Sequence, residues 1–132
     1  MAADEEQVAR GILERLQRAF VTKDPVQVAE LLDDEVVLFG TAAESLDRAQ
    51  SSGYVARVLS LDGTIRWGWD QVVPLWHEPD VIVFAVVGTV GFEEVQGQPD
   101  GERDAFRLTC VAVSREGSWR LRHFHGSVPQ TD

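Results

Sequence analysis

A single cysteine, Cys110, stands in the 132 residues, which excludes an intramolecular disulfide framework and fits a reducing, cytoplasmic compartment. No stretch approaches the roughly 18 apolar residues that a bilayer-spanning helix needs. Nor does the opening Met1-Ala2-Ala3-Asp4-Glu5-Glu6 have the basic then apolar pattern of an export signal, so neither membrane nor secretion is expected. Positive charge is also scarce: 12 Lys and Arg against 22 Asp and Glu give a formal net charge of −10. Such a surface repels DNA and RNA, and nucleic acid is not an expected partner. Repeats, linkers and low-complexity runs are missing too, so residues 1–132 read as one domain.

What is present is ordinary globular material, 44% hydrophobic and 26% charged, in a chain long enough to bury its own core. Val8, Ile12, Leu13, Leu16, Ala19 and Phe20 recur at helical spacing between Asp4 and Val21. Asp24-Pro25 reads as an N-cap followed by proline in the first turn, opening a short helix through Val28, Leu31 and Leu32 that Asp33-Asp34 ends. Val36 to Phe39 is a short apolar run stopped by Gly40, and Ser45 is placed to cap a third helix with Tyr54, Val55, Val58 and Leu59 on one stripe. From Thr64 the pattern turns to strand. Ile65, Trp67 and Trp69 alternate with polar or small residues, and Pro74 marks an edge or a bulge because it cannot donate a ladder hydrogen bond. After a turn at His77-Glu78-Pro79-Asp80 comes a long strand from Val81 to Val95, with Gly88 and Gly91 as bend points, then a polar loop from Gln96 to Gly101. Strands Phe106 to Val113 and Trp119 to Val128 close the chain. Three helices followed by a mostly antiparallel sheet is an α+β layout, with the helices on one face.

The last strand holds two of the three histidines, His123 and His125, on alternate residues. With a loop centred on Glu116, antiparallel pairing sets Arg107 against His125, Thr109 against His123, Val111 against Leu121 and Val113 against Trp119. Arg107, Thr109, His123, His125 and Ser127 then share the concave face with Trp119 and Leu121. A guanidinium fork suits a carboxylate or enolate oxygen, and either imidazole exchanges a proton near neutral pH. The structural alternative is that Arg107 pairs with a buried carboxylate while the histidines bond to backbone. Two histidines at i, i+2 with no assured third ligand are a poor zinc site, so no metal and no cofactor is expected. Phe39, Tyr54, Trp67, Trp69 and Trp76 suit either the wall of an apolar ligand cavity or plain core. Asp47, Asp70, Glu93 and Asp104 are the nearest acids, none securely placed as a base. On the opposite face, Phe106, Leu108, Cys110, Ala112 and Phe124 form a row too apolar for water, which points to an isologous homodimer contact there.

Taken together these features resemble the SnoaL-like branch of the NTF2-like superfamily. The resemblance rests on the opening helix ending Ala19-Phe20, the Asp24-Pro25 helix start, Trp67-Gly68-Trp69, Val87-Gly88-Thr89-Val90, Arg107-Leu108-Thr109, Trp119-Arg120-Leu121 and His125-Gly126-Ser127. It implies a cone-shaped, cystatin-like fold with three N-terminal helices on a strongly curved sheet, and often a homodimer. Because that superfamily hosts many chemistries, three functions stand side by side. One is a homodimeric domain that binds a small apolar or carboxylated molecule in its cone. Another is an isomerase, cyclase or dehydratase using His125 or His123 as acid and base with Arg107 stabilising negative charge. The third is a non-catalytic dimerisation module.

Overall fold

The computed structural model describes residues 2–40, 43–94 and 103–129. The loop expected over 96–101 therefore lies outside the described residues. Helix α1, Ala2–Val21, buries Ala9, Ile12, Leu13, Leu16, Ala19 and Phe20, one stripe of a 3.6-residue period. Helix α2, Pro25–Leu31, starts as its sequence implies, with the Asp24 side chain accepting from the N–H groups of Val26 and Gln27. It ends earlier than expected: Leu32 turns extended at once and begins β1, Leu32–Phe39. This puts Asp33 inside the fold at 2% exposure. Arg115 Nε donates to its carboxylate at 2.9 Å and the Glu35 N–H at 3.1 Å. Burial works to raise the Asp33 pKa, but the bonds from Arg115 and Glu35, with the charges of Arg115 and Arg122, outweigh it and hold the group below the usual carboxylate range.

The third helix, α3, Arg48–Leu59, is capped by Asp47 rather than Ser45. Asp47 accepts from the Gln50 N–H at 2.8 Å, whereas Ser45 belongs to β2, Glu44–Ser45, paired with Leu38. The remaining strands are β3 (Gly63–Glu78), β4 (Val81–Glu94), β5 (Asp104–Arg115) and β6 (Ser118–Ser127). They form a six-stranded sheet ordered β2-β1-β6-β5-β4-β3, antiparallel except where β1 runs parallel to β6. Pro74 lies on the edge strand β3 at a register shift. A second shift, between Trp69 and Gln71, faces Gly88, where an added Cβ would lie 1.8 Å from the Gly68 carbonyl oxygen. Gly88 is thus required by backbone approach, while Gly91 pairs regularly with Arg66. Gln17 of α1 fastens the edge: its amide donates to Ile65 O at 3.0 Å and accepts from Trp67 N at 2.7 Å, closing groups that an edge strand would otherwise leave open.

The hairpin between β5 and β6 corrects the expected register. Its turn is the two residues Glu116 and Gly117, with φ of 54° and 81°, the positive pair that a tight hairpin requires. Arg115 therefore faces Ser118, and Ala112 faces Leu121. Next comes a bulge: β6 takes two steps from Leu121 to His123 while β5 takes one from Ala112 to Val111. Beyond it Val111 faces His123, Thr109 faces His125 and Arg107 faces Ser127. The bulge cuts the expected row in two, because an extra residue reverses the side to which the following side chains point. Leu121 and Phe124 both turn toward the helices and are buried. Phe106, Leu108, Cys110 and Ala112 are buried with them, so the row expected to form an outer dimer contact is the core itself. Burial also pushes the Cys110 thiol pKa up.

Candidate functional site

An apolar cavity of about 70 Å³ lies between the helices and the sheet. From α1 come Leu16 and Phe20, from α2 Val28, and from α3 Tyr54, Val55 and Val58. The sheet supplies Leu32, Leu38, Ile65, Trp67, Val90, Phe106, Leu121 and Phe124. On β3 the alternate residues Ile65 and Trp67 reach it, as pleating dictates, while on β6 Leu121 and Phe124 stand three apart because of the bulge. Phe20 meets Trp67 edge-on at 5.3 Å, and Trp69 stacks on Trp67 at 5.5 Å behind the wall. Among the lining side chains only the Tyr54 hydroxyl and the Trp67 indole N–H are polar. Neither has a hydrogen bond among the described residues. The Tyr54 hydroxyl reaches Gly40, where a Cβ would sit 3.0 Å from it.

Of the aromatics considered from sequence, the cavity therefore takes Tyr54 and Trp67. Trp69 stands one step removed, Trp76 is 61% exposed, and Phe39 sits on the far face of the sheet. There Phe39 pairs with His125 and meets the rings of His123 and His125 edge-on at 5.3 and 5.2 Å. His123 Nδ1 donates to Val37 O at 2.8 Å, which is the backbone bond that a structural role would give it. Arg107, Thr109, His125 and Ser127 line an open groove with Ala85 and Val87 on that same outer face. The structure keeps the polar group together but puts it on the side of the sheet away from the helices: the two-residue turn pairs Leu121 with Ala112, which leaves Arg107 and Thr109 outside, and the bulge in β6 turns His125 and Ser127 out beside them. The signal that could have shown this is in β5 alone, where Phe106, Leu108, Cys110 and Ala112 form the apolar row that helices must cover.

No acid among the described residues joins the cavity wall. Asp47 caps α3, Glu93 accepts from Arg66 Nε at 2.8 Å, and Asp70 and Asp104 are exposed. Among the described residues no three of His, Cys, Asp and Glu gather closely enough to hold a metal ion. His77, which the sequence places in a turn, lies instead near the end of β3, half-exposed, and meets Glu5 at 2.8 Å.

The family model of the SnoaL-like domain matches residues 10–131. The chain belongs to the SnoaL-like family. No protein with curated function matches it. Solved structures with the same fold include a proposed dehydratase of the NTF2-like family from Streptomyces avermitilis, 16% identical over 98% of each chain with a TM-score of 0.80. An NTF2-like protein of unknown function from Pseudomonas putida KT2440 is 17% identical over 99% of this chain and 91% of its own, TM-score 0.79. A proposed calcium/calmodulin dependent protein kinase II association domain from Xanthomonas campestris is 22% identical over 92% of this chain and 85% of its own, TM-score 0.79. At these identities the likeness is one of fold, which for this SnoaL-like chain is an α+β cone of three helices on a mixed sheet. No helix among the described residues is long and apolar enough to cross a membrane.

Proposed function

We propose that this SnoaL-like domain is a cytoplasmic homodimer that holds a small apolar molecule in its inner cavity and carries out no acid–base chemistry there. One observation carries the reading: the cavity wall is apolar apart from a phenol and an indole N–H. General acid–base catalysis needs a titratable group within hydrogen-bond reach of the reacting proton, and among the described residues neither a carboxylate nor an imidazole lies on this wall. His125 and Arg107, which an isomerase or dehydratase reading would use, sit across the sheet from it. A flat single-ring molecule with one acceptor atom suits the space, its ring against Trp67 and its acceptor toward Tyr54.

Titration with toluene tests this. Saturable shifts of amide resonances at Tyr54, Trp67 and Val90, abolished when Val58→Trp fills the space, are expected. Shifts that grow linearly without saturation, or that survive Val58→Trp, would overturn the reading. The dimer is supported by a surface other than the one the sequence suggested. Val73, Leu75 and Trp76 of the edge strand β3 are exposed by 47, 58 and 61%, an apolar grouping that water disfavours. Sedimentation equilibrium of Trp76→Glu is expected to show monomer; an unchanged dimer would refute the contact.

A further inference from the structure

The outer face carries a second grouping that the inner cavity does not use. Arg107 faces Ser127 directly, and Thr109 faces His125, so four polar side chains stand side by side on β5 and β6. Together with Ala85 and Val87 of β4 they line an open groove of about 310 Å³. None of the four makes a side-chain hydrogen bond or ion pair among the described residues. Arg10, Arg48, Arg66 and Arg115 each meet a carboxylate within 2.9 Å. Arg18, like Arg107, has no such bond among the described residues, but it lines a hollow with Glu30, whereas Arg107 stands among Thr109, His125 and Ser127. In a chain with 22 acidic residues against 12 basic ones, a guanidinium on a strand with no acid paired to it among the described residues and hydroxyls beside it is arranged to receive an anion from outside.

We propose that this groove binds the carboxylate of a small organic acid. The Arg107 guanidinium offers two parallel donors to the two carboxylate oxygens, a fit that a planar fork makes and an ammonium does not. Thr109 and Ser127 add hydroxyl donors, and the His125 ring supplies a further N–H. Ala85 and Val87 give the apolar remainder of the acid a surface to lie on. That floor, with one permanent cation, favours a monocarboxylate over inorganic phosphate, whose larger charge calls for more than one cation. Both positions are fixed by the β5–β6 ladder rather than by a loop, so the donors need little ordering on binding. The site stands whether or not anything occupies the inner cavity, since the sheet separates the two.

Titration of the full chain with benzoate, followed by amide and Arg107 Nε–H resonances, tests it. Saturable shifts centred on Arg107, Thr109, His125 and Ser127 are expected, with the dissociation constant raised about tenfold in Arg107→Ala and several-fold in Arg107→Lys, because lysine keeps the charge but loses the fork. Ser127→Ala is expected to weaken binding less. Far-UV circular dichroism and sedimentation of each variant show that fold and oligomeric state are kept. Three results would overturn the proposal: no saturable shift at these residues, equal binding of benzoate and phosphate, or Arg107→Lys binding as well as the parent. A loss of dimer in Arg107→Ala with no benzoate binding in the parent would assign the groove to the contact between copies and would equally end it.

Discussion

On β5 the residues Phe106, Leu108, Cys110 and Ala112 lie buried under the helices, while Arg107 and Thr109, one step away along the same backbone, are exposed. The two faces of one sheet thus differ completely in chemistry: an apolar cavity inside, and outside a polar groove beside exposed Val73, Leu75 and Trp76. The lesson is that pleating alone keeps two possible sites apart. Ligands with opposite requirements can then be served by neighbouring residues without either site placing a charge in the other's environment, which burial of an unpaired charge would make costly.

The division between the two faces is tested most directly by a pair of neighbours. Leu108→Ala empties a position that is 2% exposed and is expected to cost about 2–5 kcal/mol in urea unfolding. Thr109→Ala, on the other face, should stay within about 0.5 kcal/mol. Equal costs would mean that the faces are not divided as described.

Next in size is the clamp at the end of the hairpin. The Arg115 side chain is half in solvent, but its partner Asp33 is buried, so Arg115→Ala leaves a buried carboxylate with little beyond the Glu35 N–H to balance it. A loss of stability in urea unfolding is expected, smaller than for a fully buried pair because one partner is hydrated. The pH dependence follows in sign. Folding lowers the Asp33 pKa, so its contribution is fully present above its unfolded value, about 3.9, and fades as pH falls through the lower folded value. Acid titration of stability should therefore be shallower in Asp33→Asn than in the parent below about pH 4; parallel curves would remove Asp33 from the account.

Much of the fold was legible in the sequence because the relevant signals are local. The stripe of α1, the Asp24-Pro25 helix start and the disturbance at Pro74 each depend on a few adjacent residues. The membership of the polar group was legible too, since Arg107, Thr109, His125 and Ser127 stay on one face under either register. Which face was not, because it turns on one residue in a tight turn and one more at a bulge, and a strand's period of two makes each such step decisive. Deleting Arg122 tests that explanation. Without it Leu121, His123 and Phe124 would be consecutive, and alternation alone would send them in, out and in. The deletion should fold with Phe124 still buried, losing about 1–2 kcal/mol with the bond from Arg122 to Glu35 O at 2.6 Å. Exposure of Phe124 to solvent quenching or hydrogen exchange at its amide would show that the bulge is not what sets the faces.

The smallest effect expected is also the most specific to the inner face. Tyr54→Phe removes a hydroxyl that borders the cavity and has no hydrogen-bond partner among the described residues. Loss of an unpaired, half-buried hydroxyl removes no bond, so stability should change by less than about 0.5 kcal/mol. An effect on the cavity is expected only where a guest brings an acceptor atom. Binding of toluene should be unaltered, while that of benzaldehyde, whose carbonyl oxygen can accept from the phenol, should weaken several-fold. Equal loss for both guests would mean that Tyr54 acts by shaping the wall; loss for neither would mean that the carbonyl points elsewhere, toward the Trp67 N–H that is the other donor on this wall.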